Sequence, residues 1–190
     1  MMVVRRVISL LAEGVRDGAA ARAAADFLYA ERNGKVSATL NILSADLQTG
    51  TLVITRNSTT PVFVTRGDRI ECLLGESSAI GTMRNSRPAI SEIPLDGETT
   101  VVMYTDGLLH AGDRYGQKFD ICTMLESMLE DQDPLAQEIA ESLLNQAISL
   151  DQGRPNDDMS IVVLQVLARE SDQIRRMMVR LPVPPTIGLD

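Results

Sequence analysis

The sequence predicts an α+β fold: an antiparallel β-sandwich flanked by helices. Three observations lead there. Helical spacing of apolar residues occupies both ends of the chain, and period-two alternation occupies its middle. The strands in the middle are joined by connections too short for parallel crossovers. Helices and strands fall into runs rather than alternating, which argues against a βαβ nucleotide fold.

From Val3 to about Glu31, Val4, Val7, Ile8, Leu11 and Val15 recur at helical spacing, followed by Ala21, Ala24, Ala25 and Leu28. Gly14 and Gly18 weaken the middle of this stretch and Asp17 can cap a new start, so two helices or one broken helix are expected. Lys35–Asp46 alternates, with Val36, Ala38, Leu40 and Ile42 on one face, and reads as a half-buried strand. Thr51–Arg56 follows a Gln48-Thr49-Gly50 turn as a second strand. Pro61–Thr65 and Arg69–Leu74, joined at Arg66-Gly67-Asp68, form a hairpin. Gly75–Arg87 reads as a loop. Glu98–Tyr104 is continuously apolar at its end and reads as a central strand. Phe119–Glu130 and Pro134–Leu150 are helical, the latter with Leu135, Ile139, Leu143, Leu144 and Ala147 on one face. Ser160–Leu167 is the last strand. Residues 1–168 are read as one domain. Residues 169–190, with Arg175-Arg176, Arg180 and a PVPP run, are read as a C-terminal extension.

Composition narrows the chemistry. The 190 residues carry 18 basic and 26 acidic side chains, a net charge of −8. That field opposes duplex nucleic acid and anionic lipid as partners. Aromatics are 3% and Trp is absent, so base-stacking platforms are not expected. No uncharged apolar stretch is long enough to span a membrane. One His and two Cys exclude a zinc finger and a disulfide framework. Cys72 and Cys122, far apart, predict buried or half-buried reduced thiols and a cytoplasmic protein.

Two segments end or begin core strands with carboxylates. VVMYTDGLLHAG (101–112) runs a buried strand into Asp106, which reads either as an ordinary turn residue or as a rigidly held carboxylate, and Gly107 lets other groups approach closely. RPNDDMSIVVLQV (154–166) leads Asp157-Asp158 into the last strand and reads either as a solvated acidic loop or as a second ligand-bearing one. Two adjacent carboxylates call for a cation, which Arg154 or a metal could supply. If the two strands are neighbours, Asp106 and Asp157, 51 positions apart, meet at one end of the sheet. Carboxylates without His or thiolate suit Mg²⁺ or Mn²⁺.

TDGLLHAG followed by PNDDMSIVVLQV resembles the two C-terminal signature motifs of PPM-type (type 2C) metal-dependent protein serine/threonine phosphatases. The bacterial branch named for stage II sporulation protein E is the best match, and KVSATLNILSADLQTGTLVITRNSTTPVFV resembles its hairpin. The resemblance runs from about residue 8 to 167. It implies a β-sandwich flanked by helices that hydrolyses phosphoserine or phosphothreonine with metal-bound water. It makes Asp106 and Asp157 metal ligands and catalytic residues, and places Asp158 outside the ligand set. It implies small regulatory substrate proteins of the anti-sigma-factor-antagonist type.

The chain departs from the family at one motif. The D-G-x-G-x-G/H motif, whose Asp bridges two metals, has Asp17-Gly18 as its only candidate, and that continues as AAARAAADFLY. Asp17 therefore reads as a helix cap, and the domain is expected to be N-terminally incomplete. This keeps a second reading, a non-catalytic pseudophosphatase or truncated binding module, and a third, a fragment that would aggregate or pair with another copy as a homodimer. His110 stands where relatives carry Glu and reads as a surface or supporting residue. Arg56-Asn57 and Thr59-Thr60-Pro61 stand where relatives often show Asn-Ala-Gly-His, and read first as an ordinary turn and second as a site contact.

Overall fold

The computed structural model describes residues 2–67, 69–131 and 134–167. The C-terminal extension read at 169–190 lies outside them.

Alanine-rich helical spacing yields two helices, α1 (Met2–Ala12) and α2 (Asp17–Arg32). Gly14, at φ +81°, breaks them apart, and Asn33, also left-handed, ends α2. The strands are β1 (Leu40–Asp46), β2 (Thr51–Asn57), β3 (Val62–Arg66), β4 (Arg69–Leu73), β5 (Ala89–Pro94), β6 (Thr99–Tyr104) and β7 (Ile161–Val166). A short α3 (Asp106–Leu109) follows β6, and α4 (Ile121–Asp131) and α5 (Ala136–Leu150) precede β7. β1-β2-β5 form one antiparallel sheet and β4-β3-β6-β7 the other.

The molecule is layered helix, sheet, sheet, helix. Between the sheets lie Leu52 and Ile54 of β2, Ile93 of β5, Val62 and Val64 of β3, and Val101 and Met103 of β6. The other face of β3 and β6 presents Phe63, Val102 and Tyr104 to Leu125 of α4 and Ile139, Leu143 and Ala147 of α5. The outer face of β1 carries Ile42, which meets Val7, Ala21 and Ala24 of α1 and α2. β6 is buried at all six positions because both of its faces are covered, which explains its continuous apolar character.

Register sets which ends coincide. Phe63 pairs with Val102 and Val62 with Leu73, so the start of β3 lies beside the ends of β4 and β6. Tyr104 pairs with Ile161, which adds the start of β7. Leu40 pairs with Asn57 and Arg56 with Ala89, so β1 and β5 begin where β2 ends. The four-residue link 58–61 joins β2 to β3. One end of the sandwich therefore gathers residues 57–61, 74–88, 105–112 and 151–160.

Several expectations are corrected. Strand β5 was not anticipated. Its segment AISEIP is short and ends on Pro, as an edge strand tolerates. β2 and β3 are consecutive, but lie in opposite sheets rather than side by side. β1 starts at Leu40 rather than Lys35, after the left-handed Asn33-Gly34 end of α2, and Ala38 makes only an isolated bridge to Ile80. Val4 and Ile8 are exposed, the buried stripe of α1 being centred on Val7 with Val3 and Leu11 packed beside it. Leu135 caps α5 from outside and is exposed, its N–H donating to Glu138 at 2.8 Å. Cys72 is exposed, while Cys122 is half-buried as expected, and both are free thiols.

Asp120 stands just before α4 and accepts from Thr123 N–H (3.1 Å) and its hydroxyl (2.9 Å). These bonds hold its carboxyl below the ordinary carboxylate range. A carboxyl with a depressed folded-state pKa stabilises fully above its unfolded-state value, and the contribution is lost as pH falls through the folded-state value. Asp120→Ala is expected to lower the melting temperature at neutral pH. The gap to the parent should narrow only once pH falls below the ordinary carboxylate range. Thermal denaturation at a series of pH values checks this, and a gap independent of pH contradicts it.

Candidate functional site

β6 delivers Thr105-Asp106-Gly107 to the gathered end, and β7 begins there after Asp157-Asp158. The two loops are joined by specific contacts. Thr105 N–H donates to Ser160 O at 3.0 Å, extending the β6–β7 ladder by one step. The Thr105 hydroxyl donates to Asp158 O (3.0 Å) and accepts from Ser160 N–H (2.9 Å). Gly107 lies directly against the other loop: an added Cβ would come within 2.5 Å of Asp158 O and 3.4 Å of the Asp157 carbonyl carbon. The backbones of the two carboxylate-bearing loops thus touch, and only the missing side chain permits it.

Both expected carboxylates are exposed at this end. Each is oriented by the N–H that follows it: Gly107 N–H donates to Asp106 Oδ1 at 3.2 Å, and Asp158 N–H to Asp157 Oδ1 at 2.7 Å. The second oxygen of each carboxylate accepts no hydrogen bond among the described residues. The donor set is all oxygen and anionic, which fits a hard divalent cation such as Mg²⁺ or Mn²⁺. Among the described residues there is no group of three or more His, Cys, Asp or Glu positioned to hold a metal. Arg154 forms no ion pair with Asp157 or Asp158 among the described residues, so it does not offset their charge.

Asp151 was not singled out from the sequence. It is 3% exposed and ends α5. Its Oδ1 accepts from Gly112 N–H at 2.8 Å and its Oδ2 from Asn156 N–H at 3.4 Å. One buried carboxylate therefore ties the loop after Asp106 to the loop before Asp157. Arg114 adds a second tie by donating to the Asn156 side chain. Only the pairing of Asp151 with Gly112, 39 residues earlier in sequence, makes this legible. Asp151→Ala leaves two backbone donors without their acceptor and is expected to cost about 2–3 kcal/mol. Chemical denaturation checks this, and a loss below about 0.5 kcal/mol would contradict the tie.

His110 is exposed, and its Nδ1 donates to Asp113 Oδ2 at 2.9 Å, in keeping with the surface reading. Asp17 is the first residue of α2. Arg16 is the N-cap and makes no side-chain cap, so the capping role expected of Asp17 is not observed. Arg56 and Asn57 belong to β2 and are 2% and 0% exposed, so they are not an ordinary turn. The Asn57 amide donates to Ser78 O and Ser86 Oγ, both at 3.2 Å, and the Ser77 hydroxyl donates to Arg56 O at 2.6 Å. These contacts pin loop 74–88 onto the crossing between the sheets. The thiol of Cys122 is pushed up by burial and then by Glu126, which disfavours thiolate chemistry there. No helix among the described residues is long and apolar enough to cross a membrane.

Residues 1–167 match the family model of stage II sporulation protein E. Stage II sporulation protein E of Priestia megaterium is 23% identical over 158 residues, which cover 83% of this chain and 26% of the relative. The chain thus spans about a quarter of that relative's length. Among solved structures, the PP2C phosphatase domain with a fragment of the regulatory domain of the cell-fate determinant SpoIIE from Bacillus subtilis superposes with a TM-score of 0.72. Identity is 21%, over 90% of this chain and 50% of that one. The phosphatase domain of the same protein, presoaked with Mn, gives a TM-score of 0.61 and 19% identity over 90% of this chain and 76% of that one. The α+β sandwich expected from the sequence is the fold of these phosphatase domains.

Proposed function

Because the chain belongs to the stage II sporulation protein E family, we propose that it is a metal-dependent protein serine/threonine phosphatase acting on phosphoserine or phosphothreonine of a regulatory protein. The contact of Gly107 with the Asp157-Asp158 backbone carries this reading, because it brings two oriented carboxylates from distant segments to one end of the sandwich.

Asp106 and Asp157 would hold Mg²⁺ or Mn²⁺ through the oxygens not engaged by Gly107 and Asp158 N–H. Such an ion lowers the pKa of bound water and offsets charge on phosphoryl oxygens. The chain's own contribution is positional. Thr105 locks the ends of β6 and β7, and Asp151 clamps the flanking loops, so neither carboxylate has to be ordered when a ligand arrives. Asp158, whose N–H serves Asp157, acts through its backbone. The Mn presoak of the Bacillus subtilis phosphatase domain supports the choice of metal. A substrate of the anti-sigma-factor-antagonist type is the partner that fits the family.

A second reading rests on its own observation: among the described residues no group of three or more His, Cys, Asp or Glu is placed to hold a metal. A non-catalytic binding module would bind metal or phosphoprotein without turnover. Phosphate release from a phosphoserine peptide, followed with and without Mn²⁺, separates the two. Mn²⁺-dependent release supports the phosphatase. Metal binding by calorimetry without release supports the binding module.

A further inference from the structure

Loop 75–87 lines a shallow, open groove of about 510 Å³ at the same end of the sandwich as Asp106 and Asp157. Its lining includes Arg84 and Arg87, with Glu76 as its one acidic residue. The chain as a whole has acidic residues in excess, 26 to 18, so the local balance is inverted. The groove is built on fixed supports. Ile80 is fully buried and bridged to Ala38. Gly81, at φ +102°, packs so closely that an added Cβ would fall 2.3 Å from Val36 O. Asn85 N–H donates to Asp26 at 2.9 Å, and the Arg84 guanidinium sits 5.1 Å from the centre of the Tyr29 ring.

A third guanidinium stands behind the loop. Arg56 is 2% exposed, its Nε is sealed without a hydrogen-bond partner, and Nη2 lies beneath Gly75, where an added Cβ would come within 2.8 Å. Among the described residues no carboxylate is within ion-pair distance of Arg56, Arg84 or Arg87. A buried cation without a counter-charge is costly, and its burial lowers the guanidinium pKa. Two exposed guanidiniums at the groove, neither ion-paired among the described residues, with a third buried behind them, favour an anion from outside.

We propose that this groove docks an acidic stretch of the phosphoprotein substrate, flanking the phosphorylated residue. The proposal rests on the phosphatase reading for the identity of the partner. Arg84 and Arg87 meet the acidic side chains at the groove, and Arg56 supplies a fixed positive field beneath them. An acidic partner fits the local inversion, since the groove sets two guanidiniums against one carboxylate in a chain that is acidic as a whole.

Fluorescence anisotropy of a labelled phosphoserine peptide with acidic flanks tests this on the full chain, beside its unphosphorylated form and a neutral-flanked counterpart. Both acidic peptides should bind, with affinity falling as salt is raised from about 50 to about 200 mM. Arg84→Glu/Arg87→Glu should weaken binding about tenfold or more. The single Arg87→Gln, at an exposed and unpaired side chain, should weaken it a few-fold. Arg5→Glu/Arg6→Glu, on the exposed face of α1, makes the same change in net charge and should leave binding intact. Circular dichroism melts confirm that each variant is folded. Undiminished binding by the folded double variant overturns the proposal, as does equal binding of the neutral-flanked peptide. Equal displacement by a single-stranded oligonucleotide would also overturn it, in favour of general polyanion capture. The readout needs no turnover. Binding without phosphate release would therefore count against the phosphatase reading alone, and release without groove-dependent binding would count against docking alone.

Discussion

Asp106→Asn is expected to abolish Mn²⁺-dependent phosphate release, with a loss of at least about 100-fold. The substitution keeps the shape of the side chain and the bond from Gly107 N–H to Oδ1. It removes the negative charge that would hold a divalent cation. Asp157→Asn should do the same, because Asp157 is built in parallel, with its own Oδ1 engaged by the next N–H. Asp158→Asn is the internal control. It preserves the backbone N–H that orients Asp157 and should retain most of the release. Steady-state phosphate release and calorimetric Mn²⁺ titration of the three variants check the set. Equal losses in all three would show that total charge, rather than two placed ligands, matters. Undiminished release in Asp106→Asn would remove the metal role assigned to it.

Gly107→Ala should be damaging despite adding only one methyl group. The new Cβ would lie 2.5 Å from Asp158 O, and that neighbour is backbone, so no rotamer change relieves the overlap. The loops must part, and the Thr105 bonds to Asp158 and Ser160 lengthen with them. Overpacking of this kind costs about 1–3 kcal/mol. Mn²⁺ affinity should fall at least about tenfold, because the two carboxylates no longer share one location. Denaturation and metal titration on the same preparation test both effects. A variant with parental stability and affinity would show that the contact between the loops is not what aligns the ligands.

Much of this architecture is legible in the sequence because local signals and tertiary burial agree. The spacing of Ala21, Ala24, Ala25 and Leu28 reports a helix and also the face that is buried. The apolar run of β6 reports a strand covered on both sides. The placement of Asp106, Gly107 and Asp157 at one end is legible because each abuts a core strand and those strands pair. What escapes is set by long-range contact. β5 carries a weak pattern because an edge strand needs neither alternation nor apolar content at every position. Asp151 looks like one more acid in a polar loop until Gly112 is beside it. Arg56 looks like a turn residue until β1 and β5 flank it and Gly75 closes over it. Val4 and Ile8 misled because helical periodicity identifies an apolar stripe without fixing which of its two edges meets the sheet.

The pairing of β6 with β7 also orders events in time. Tyr104 and Ile161 are partners separated by the whole of α3, α4 and α5. Closing that loop costs entropy that only the packed helical layer and the completed ladder recover. A chain emerging from the ribosome therefore presents Asp106 well before Asp157 arrives. Until β7 docks, Gly107 has nothing to lie against and Asp151 nothing to clamp. On the proposed metal role of Asp106 and Asp157, binding of the ion would require β7 to have docked. A nascent chain stalled before residue 157 should be blind to Mn²⁺, whereas the finished one should gain protection from proteolysis when the ion is added.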